Sequence, residues 1–374
     1  MKEALFYQSM AEGRVHCTLC PHDCKIGTEK HGACGVRFNH EGILYTLVYD
    51  KVIARNVDPI EKKPFFHFQP GSASYSIATV GCSLRCKFCQ NWEISQMPKG
   101  RPPLEEKREA SEPICPLLEA AAHRIPGERV TPRQIVNAAL QTGAKSIAYT
   151  YTEPTIFYEL AYDTAILARA KGLKNLFVTS GFISEMPLRQ MATVLDAANV
   201  DLKFFKDENY KRITGARLRP VLEAIRLYRT LGVWVEVTTL VIPGLNDSVE
   251  GLRQIAQFVH SVGPEIPWHV NQFYPAYRMT DRGPTPISTL RRARQIGFDA
   301  GLRYVYEGNV PGEGGENTYC YGCKSLLIDR YGFLVLENRI RHGKCPDCRA
   351  SIDGVEMDGP REDCHAAPTA SDTP

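Results

Sequence analysis

Between residues 75 and 308, seven short apolar segments ("YSIATV", "SIAYTY", "NLFVTS", "NVDLKFF", "WVEVTTLVI", "WHVNQFY" and "RYVYEG") alternate with helical stretches such as "TPRQIVNAALQTG", "IFYELAYDTAILARAKG" and "SVEGLRQIAQFVHSVG". Strands that alternate with helices of this length build βαβ units and a parallel sheet, open or closed into a barrel. The predicted fold is therefore α/β, a partial (β/α) barrel of about six parallel strands. Its chemistry belongs at the carboxyl ends of the strands, where loops carry functional groups. Several boundaries are written locally. Thr131 before Pro132 predicts an N-cap with proline at the first helical position, and Gly172, Gly232 and Gly301 stand where helices stop.

The flanks follow other rules. Residues 1–70 hold four cysteines and alternating segments such as "GILYTLVYDKVIARN", a hairpin-forming β region in a small metal-stapled module. The core spans 71–309, interrupted at 97–130 by a Pro-, Arg- and Glu-rich insertion ("PKGRPPLEEKREASEP") expected to be exposed. In residues 310–356, "TYCYGC" and "GKCPDC" bracket a short hairpin, the layout of a zinc ribbon, and 357–374 read as a disordered polar tail.

Whether the thiols are disulfides or ligands depends on compartment. No run of about 18 apolar residues occurs, and "MKEALFYQSMAEGR" lacks the apolar stretch of a signal peptide. The expected location is cytoplasmic, away from membranes, with thiols reduced. Eleven of the 13 cysteines fall into three sets: Cys17, Cys20, Cys24 and Cys34; Cys82, Cys86 and Cys89; Cys320, Cys323, Cys345 and Cys348. Such spacing points to metal. Cys115 reads as a small buried hydrophobe and Cys364 as an exposed thiol. A net charge of +3 without a block of like charges argues against a nucleic-acid partner.

The middle set, "GCSLRCKFCQNW", is spaced C-x3-C-x2-C with no fourth thiol nearby. A cubane 4Fe-4S cluster that only shuttles electrons is held by four cysteines. Three ligands leave one iron open, as a catalytic metal leaves a position for its substrate. The C-terminal set reads as structural zinc, since the hairpin is too small to build its own core. The N-terminal set reads equally as zinc or an auxiliary cluster, with His16, His22 and His31 either ligating or solvated.

"CSLRCKFC", with the aromatic Phe88 before its last cysteine, resembles the signature of the radical S-adenosylmethionine (SAM) superfamily, and the resemblance covers most of the chain. It implies a 4Fe-4S cluster on Cys82, Cys86 and Cys89 whose open iron chelates SAM, reductive cleavage to a 5'-deoxyadenosyl radical, and an electron donor of flavodoxin or ferredoxin type. It also implies SAM contacts at successive strand ends. Glu153 in "YTYTEP" would hold the amino group, although Tyr151 and Thr152 stand where glycines are usual. Thr179 and Ser180 in "VTSGF" would serve the methionine end, and Asp201 and Lys203 in "VDLKFF" would orient SAM. Backbone from Val241 to Gly244 in "VIPGLND" would face the adenine.

Closer still, "CTLCPHDCKIGTEKHGACGVRFN", "KKPFFHF", "FCQNWEISQ" and "GNVPG" resemble the radical SAM protein of the AmmeMemoRadiSam group, related to the activating enzyme of pyruvate formate-lyase. That implies AMMECR-like and Memo-like partners. One departure weighs against an activase: its histidine after the sixth strand is replaced where "FYPAYRM" places Tyr277. A rival from another class is a zinc-binding interaction module whose middle cysteines are structural.

Overall fold

The computed structural model describes residues 1–100 and 115–359, with backbone alone at 99, 100 and 115–117. Cys364, the side chain of Cys115, residues 101–114 of the expected insertion and residues 360–374 of the expected tail lie outside the described residues. The central sheet contains β1 (Ala54–Pro59), β2 (Ala73–Ala78), β3 (Ser146–Tyr149), β4 (Lys174–Thr179), β5 (Ala197–Asp201), β6 (Trp234–Val241), β7 (Trp268–Gln272) and β8 (Val305–Gly308). They lie side by side in sequence order, β2 to β8 parallel and β1 antiparallel on β2. All the apolar segments read from the sequence are strands, so the parallel set numbers seven rather than about six. The eighth strand, β1, comes from the region assigned to the N-terminal module, and its exposed outer edge ends the sheet.

Helices join the parallel strands: α1 (Pro132–Gln141), α2 (Tyr158–Ala170), α3 (Glu185–Met191), α4 (Leu218–Thr230), α5 (Val249–Val262) and α6 (Ile287–Asp299). Thr131 caps α1 as expected: its hydroxyl accepts the Gln134 N–H at 3.3 Å while the Gln134 side chain accepts the Thr131 N–H at 2.8 Å. Side chains alternate along each strand. Ile77, Ile147, Phe177, Val200 and Val237 join the helices in the main core, whereas Ala148, Leu176 and Ala197 point the other way, onto Ile60, Phe65 and Phe68. The "KKPFFHF" segment thus covers the second face of the sheet.

Two expectations change. Within the stretch 97–130, Cys115–His123 is helical and Glu128–Arg129 pairs with Lys51–Val52. Leu118, Ala121, Ile125 and Val130 are buried there, because the apolar residues of "PLLEAAAHRIPGERV" fill the main core. In the expected tail, Met357 is buried in the C-terminal module, and its carbonyl accepts the Asn338 side-chain N–H at 2.9 Å.

The modules are anchored through buried polar groups. The Glu236 carboxylate on β6 accepts the N–H groups of Phe66 and His67 at 3.1 and 2.8 Å, and meets His269 Nε2 at 2.7 Å. Burial works against its charge, but His269 holds its pKa below the ordinary value. His67 lies 2.6 Å from the Asp353 carbonyl through Nδ1, and 2.6 Å from the Tyr306 hydroxyl through Nε2. A carbonyl only accepts, so Nδ1 carries the proton and Tyr306 donates to Nε2. Arg330 of the C-terminal module is fully buried against Glu61 at 3.5 Å.

Burial pushes the pKa of His67 down to about 4, from an ordinary 6.5. Above pH 6.5 the imidazole is neutral in both folded and unfolded chains. As pH falls, the unfolded chain binds the proton first, so this contribution to stability is lost between 6.5 and 4. The loss should total about 3 kcal/mol. His67→Gln should flatten the fall of the thermal midpoint between pH 7 and 5, as scanning calorimetry would show.

Candidate functional site

The loop after β2 carries the three clustered thiols. Gly81 opens it at φ +98°, and a Cβ there would sit 2.7 Å from Val36 Cγ1 and 3.2 Å from the Cys34 carbonyl oxygen. Only glycine fits that turn. Main-chain bonds then clamp the loop: Gly81 N–H to the Ile94 carbonyl at 3.0 Å, Arg85 N–H to Thr214 at 2.7 Å, Lys87 N–H to Ile213 at 3.1 Å, and Arg278 N–H back to Lys87 at 2.9 Å. Cys86 is buried, and Cys82 and Cys89 are half-buried. Leu84 N–H donates to Cys82 Sγ at 3.3 Å, and the Ser95 hydroxyl lies 3.3 Å from Cys89 Sγ. A clamped loop that offers three thiols and polar hydrogens to two of them suits an iron-sulfur cluster, whose potential such hydrogen bonds tune.

The neighbouring strand ends gather most of the expected residues. Glu153 is buried after β3, and its carboxylate ties that end to β4. Oε1 accepts the Thr155 N–H at 3.2 Å and the hydroxyls of Thr155 and Thr179 at 2.7 Å each. Oε2 accepts the Ser180 N–H at 2.8 Å and its hydroxyl at 2.6 Å. After β5, Lys203 Nζ lies 2.7 Å from Asp201 Oδ2 and 5.7 Å from the centre of the Phe88 ring. Burial opposes its charge, but Asp201 and Cys86 beside it raise the lysine above its ordinary pKa. The lysine therefore presents a fixed positive charge to the cysteine loop.

The Val241–Gly244 loop is arranged by residues that the sequence did not mark. Asn246 accepts the Ile242 N–H at 2.6 Å and donates to the Lys203 and Leu240 carbonyls at 2.8 and 2.9 Å. Gly244 N–H is already used by Asp247 at 2.9 Å, and Arg282 bonds the Pro243 carbonyl at 2.9 Å. Tyr151, where a glycine was expected, is held at φ +60°. Its carbonyl accepts from Asn91 at 2.8 Å, its hydroxyl bonds Asp58, and the buried Lys63 lies 4.1 Å over its ring. Tyr277, also at positive φ, stacks on Trp92 with 5.1 Å between ring centres. Asn91 and Trp92 stand two and three residues after the last cysteine of the loop, a local signal that could have marked them.

A cavity of about 570 Å³ opens beside the loop, lined by Phe66, Gln90, Leu240, Tyr274, Asn309 and Phe333 among others. Phe333 sits at the tip of the C-terminal hairpin, between strands Leu326–Tyr331 and Leu334–Asn338, so that module forms one wall.

The outer cysteine sets differ in geometry. The sulfurs of Cys320, Cys323, Cys345 and Cys348 all lie within 4.8 Å of one another, with Cys320–Cys348 and Cys323–Cys345 at 3.6 Å. Tetrahedral ligands about 2.3 Å from one zinc are about 3.8 Å apart, so this set fits a single ion. Among the described residues no other group of three or more such donors is gathered so closely. Cys17 and Cys24 nonetheless face each other across antiparallel strands.

The sequence model of the Radical SAM superfamily matches residues 76–259. The chain belongs to the radical SAM superfamily, whose members use a 4Fe-4S cluster and SAM. Over 358 residues it is 42% identical to the uncharacterized protein MJ0808 of Methanocaldococcus jannaschii, covering 95% of this chain and 100% of that one. It is 22% identical over 182 residues to the pyruvate formate-lyase-activating enzyme of Clostridium pasteurianum, covering 49% of this chain and 67% of that enzyme. A solved domain of the pyruvate-formate lyase-activating enzyme from Bacteroides vulgatus aligns at 17% identity and a TM-score of 0.39, over 44% of this chain and 100% of that one. No helix among the described residues is long and apolar enough to cross a membrane.

The Glu153 tie can be tested directly. One fixed N–H meets Oε1 and another meets Oε2, so whichever way a glutamine amide turns, one N–H loses its acceptor. Glu153→Gln should lower stability by about 2 kcal/mol, read from thermal unfolding of the anaerobic protein.

Proposed function

We propose that this protein cleaves SAM reductively at a 4Fe-4S cluster held by Cys82, Cys86 and Cys89, and delivers a 5'-deoxyadenosyl radical to a substrate in the cavity beside Gln90. The observation that carries this reading is the clamped three-thiol loop, with Lys203 5.7 Å from its Phe88 ring, at the end of a sheet whose successive strand ends hold Glu153, Thr179, Ser180, Asp201 and Lys203. When bound, the cluster supplies the electron that splits the sulfonium. The chain's own part is positional. Glu153 takes the protons of the Thr179 and Ser180 hydroxyls, whose oxygens are left to accept from the ammonium at the methionine end of SAM. The Asp201–Lys203 pair presents opposite charges matched to an amino acid's carboxylate and ammonium. Asn246 shapes the Val241–Gly244 turn as a backbone surface for adenine. Phe66, Leu240 and Phe333 give the cavity an apolar wall.

The relatives named above favour a second reading, activation of a glycyl-radical enzyme. It ranks behind because Tyr277 stands where the resemblance would place the activating enzyme's histidine, and because that enzyme is related over only about half of this chain. AMMECR-like and Memo-like partners, with a flavodoxin- or ferredoxin-type donor, remain our proposal for what the enzyme works with. Anaerobic incubation with SAM, reductant and each candidate partner separates the readings. Stimulated 5'-deoxyadenosine without a stable radical on the partner supports the first, and a glycyl radical signal supports the second.

Cys86→Ala should abolish both the cluster and 5'-deoxyadenosine formation. Asp201→Asn should retain iron while weakening SAM binding, measured by equilibrium dialysis, because Asp201 touches the cofactor and not the iron. At the C-terminal set we propose zinc. Cys345→Ser should release about one zinc per chain and make residues 318–356 sensitive to protease, since a small module held by metal loses its fold with the ion.

A further inference from the structure

We infer that Cys17, Cys20, Cys24 and Cys34 hold a second, fully ligated iron-sulfur cluster, and not zinc, directly against the loop of Cys82, Cys86 and Cys89. The two outer sets serve as controls for each other within one structure. The C-terminal sulfurs are gathered to the spacing of ligands around a single ion. The N-terminal sulfurs are not, although all four residues are described and packed together with the main core. A cubane binds each thiolate at a different iron corner, so its ligand sulfurs stand further apart than those around one zinc.

Two of the three neighbouring histidines meet other groups through Nε2, and the third packs on an aromatic ring. His16 Nε2 meets Asp23 at 2.5 Å, His22 Nε2 meets the Ser83 carbonyl at 2.7 Å, and His31 packs on Phe38 with 4.8 Å between ring centres. Four thiolates exceed the positive charge of a cubane core and of a zinc ion alike, so the cation buried nearby suits either metal. Arg37 is 1% exposed and paired with Glu159, and its charge bears on Cys17 and Cys34.

The set is built against the catalytic loop. The Cys34 carbonyl and Val36 form the surface that excludes a side chain at Gly81. His22 bonds Ser83 within the loop, its ring lies 5.0 Å from Phe182 after β4, and the Leu19 carbonyl accepts the Ser184 N–H at 3.1 Å. A redox centre at this place is contiguous with the SAM-binding cluster, whereas zinc there would be only a staple.

The inference rests on the radical SAM reading only for its neighbour's identity, and the test separates the two. Full-length protein in which Cys82, Cys86 and Cys89 are all changed to Ala is reconstituted anaerobically with iron and sulfide. Metal and acid-labile sulfide are then measured and Mössbauer spectra recorded. We expect roughly four iron and four sulfide per chain to remain, and to disappear when Cys20→Ser and Cys24→Ser are added, while the zinc at the C-terminal set persists. A triple variant without iron and sulfide but with about two zinc per chain would overturn the inference. In the Cys20→Ser, Cys24→Ser double variant alone, an iron signal that shifts on adding SAM reports the catalytic cluster independently. Loss of that signal there would fault the radical SAM reading and leave the N-terminal inference standing.

Discussion

The hold on the loop that follows β2 is the constraint on which the rest depends. Four main-chain hydrogen bonds bring it against Ile94, the Ile213–Thr214 turn and Arg278, and Gly81 lets it pass Cys34 at van der Waals distance. Three thiols on a free loop would be a generic chelator. Clamped at the carboxyl ends of a parallel sheet, they have one approach side, and the strand ends that face it are those where the polar side chains collect.

That arrangement explains why the two faces of the sheet differ. The helix-bearing face is mostly apolar, with Asn175 bonded to the Ala165 and Val194 carbonyls among its buried exceptions. The other face is covered by the "KKPFFHF" segment and carries Glu236, His269 and Asn199 inside, each with a partner: Asn199 bonds the Pro64 carbonyl at 2.7 Å and accepts from Thr238 at 2.8 Å. Buried polar groups so satisfied fix one packing of the covering segment. The segment in turn joins the C-terminal module through Asp353, Val355 and Arg330, so the wall that Phe333 adds to the cavity is held to the sheet.

Legibility in the sequence varied with the range of the interaction that decides each feature. The seven parallel strands and the Thr131 cap were legible because alternation and capping are local. The antiparallel β1 was not, because "ARNVDP" is mostly exposed and its pairing with β2 depends on a chain reversal through residues 60–72. Helix Cys115–His123 was hidden by its polar surroundings, although Leu118 and Ala121 bury one side of it. At the site, Cys82, Cys86, Cys89, Glu153, Asp201 and Lys203 were legible from spacing and resemblance, whereas Asn246, Asn91 and Tyr151 act through contacts to residues far along the chain.

By itself, the sequence determined the α/β class, the three cysteine sets and the strand ends at which polar residues appear, because periodicity and ligand spacing are properties of neighbours in the chain. Tertiary structure alone decided that Glu153 spends its oxygens on Thr155, Thr179 and Ser180, that the C-terminal hairpin walls the cavity, and that the segment of Cys34 and Val36 packs against the catalytic loop. It also distinguished two four-cysteine sets that read alike as metal sites. Sulfur-to-sulfur distance depends on how loops pack, and no spacing along the chain encodes it.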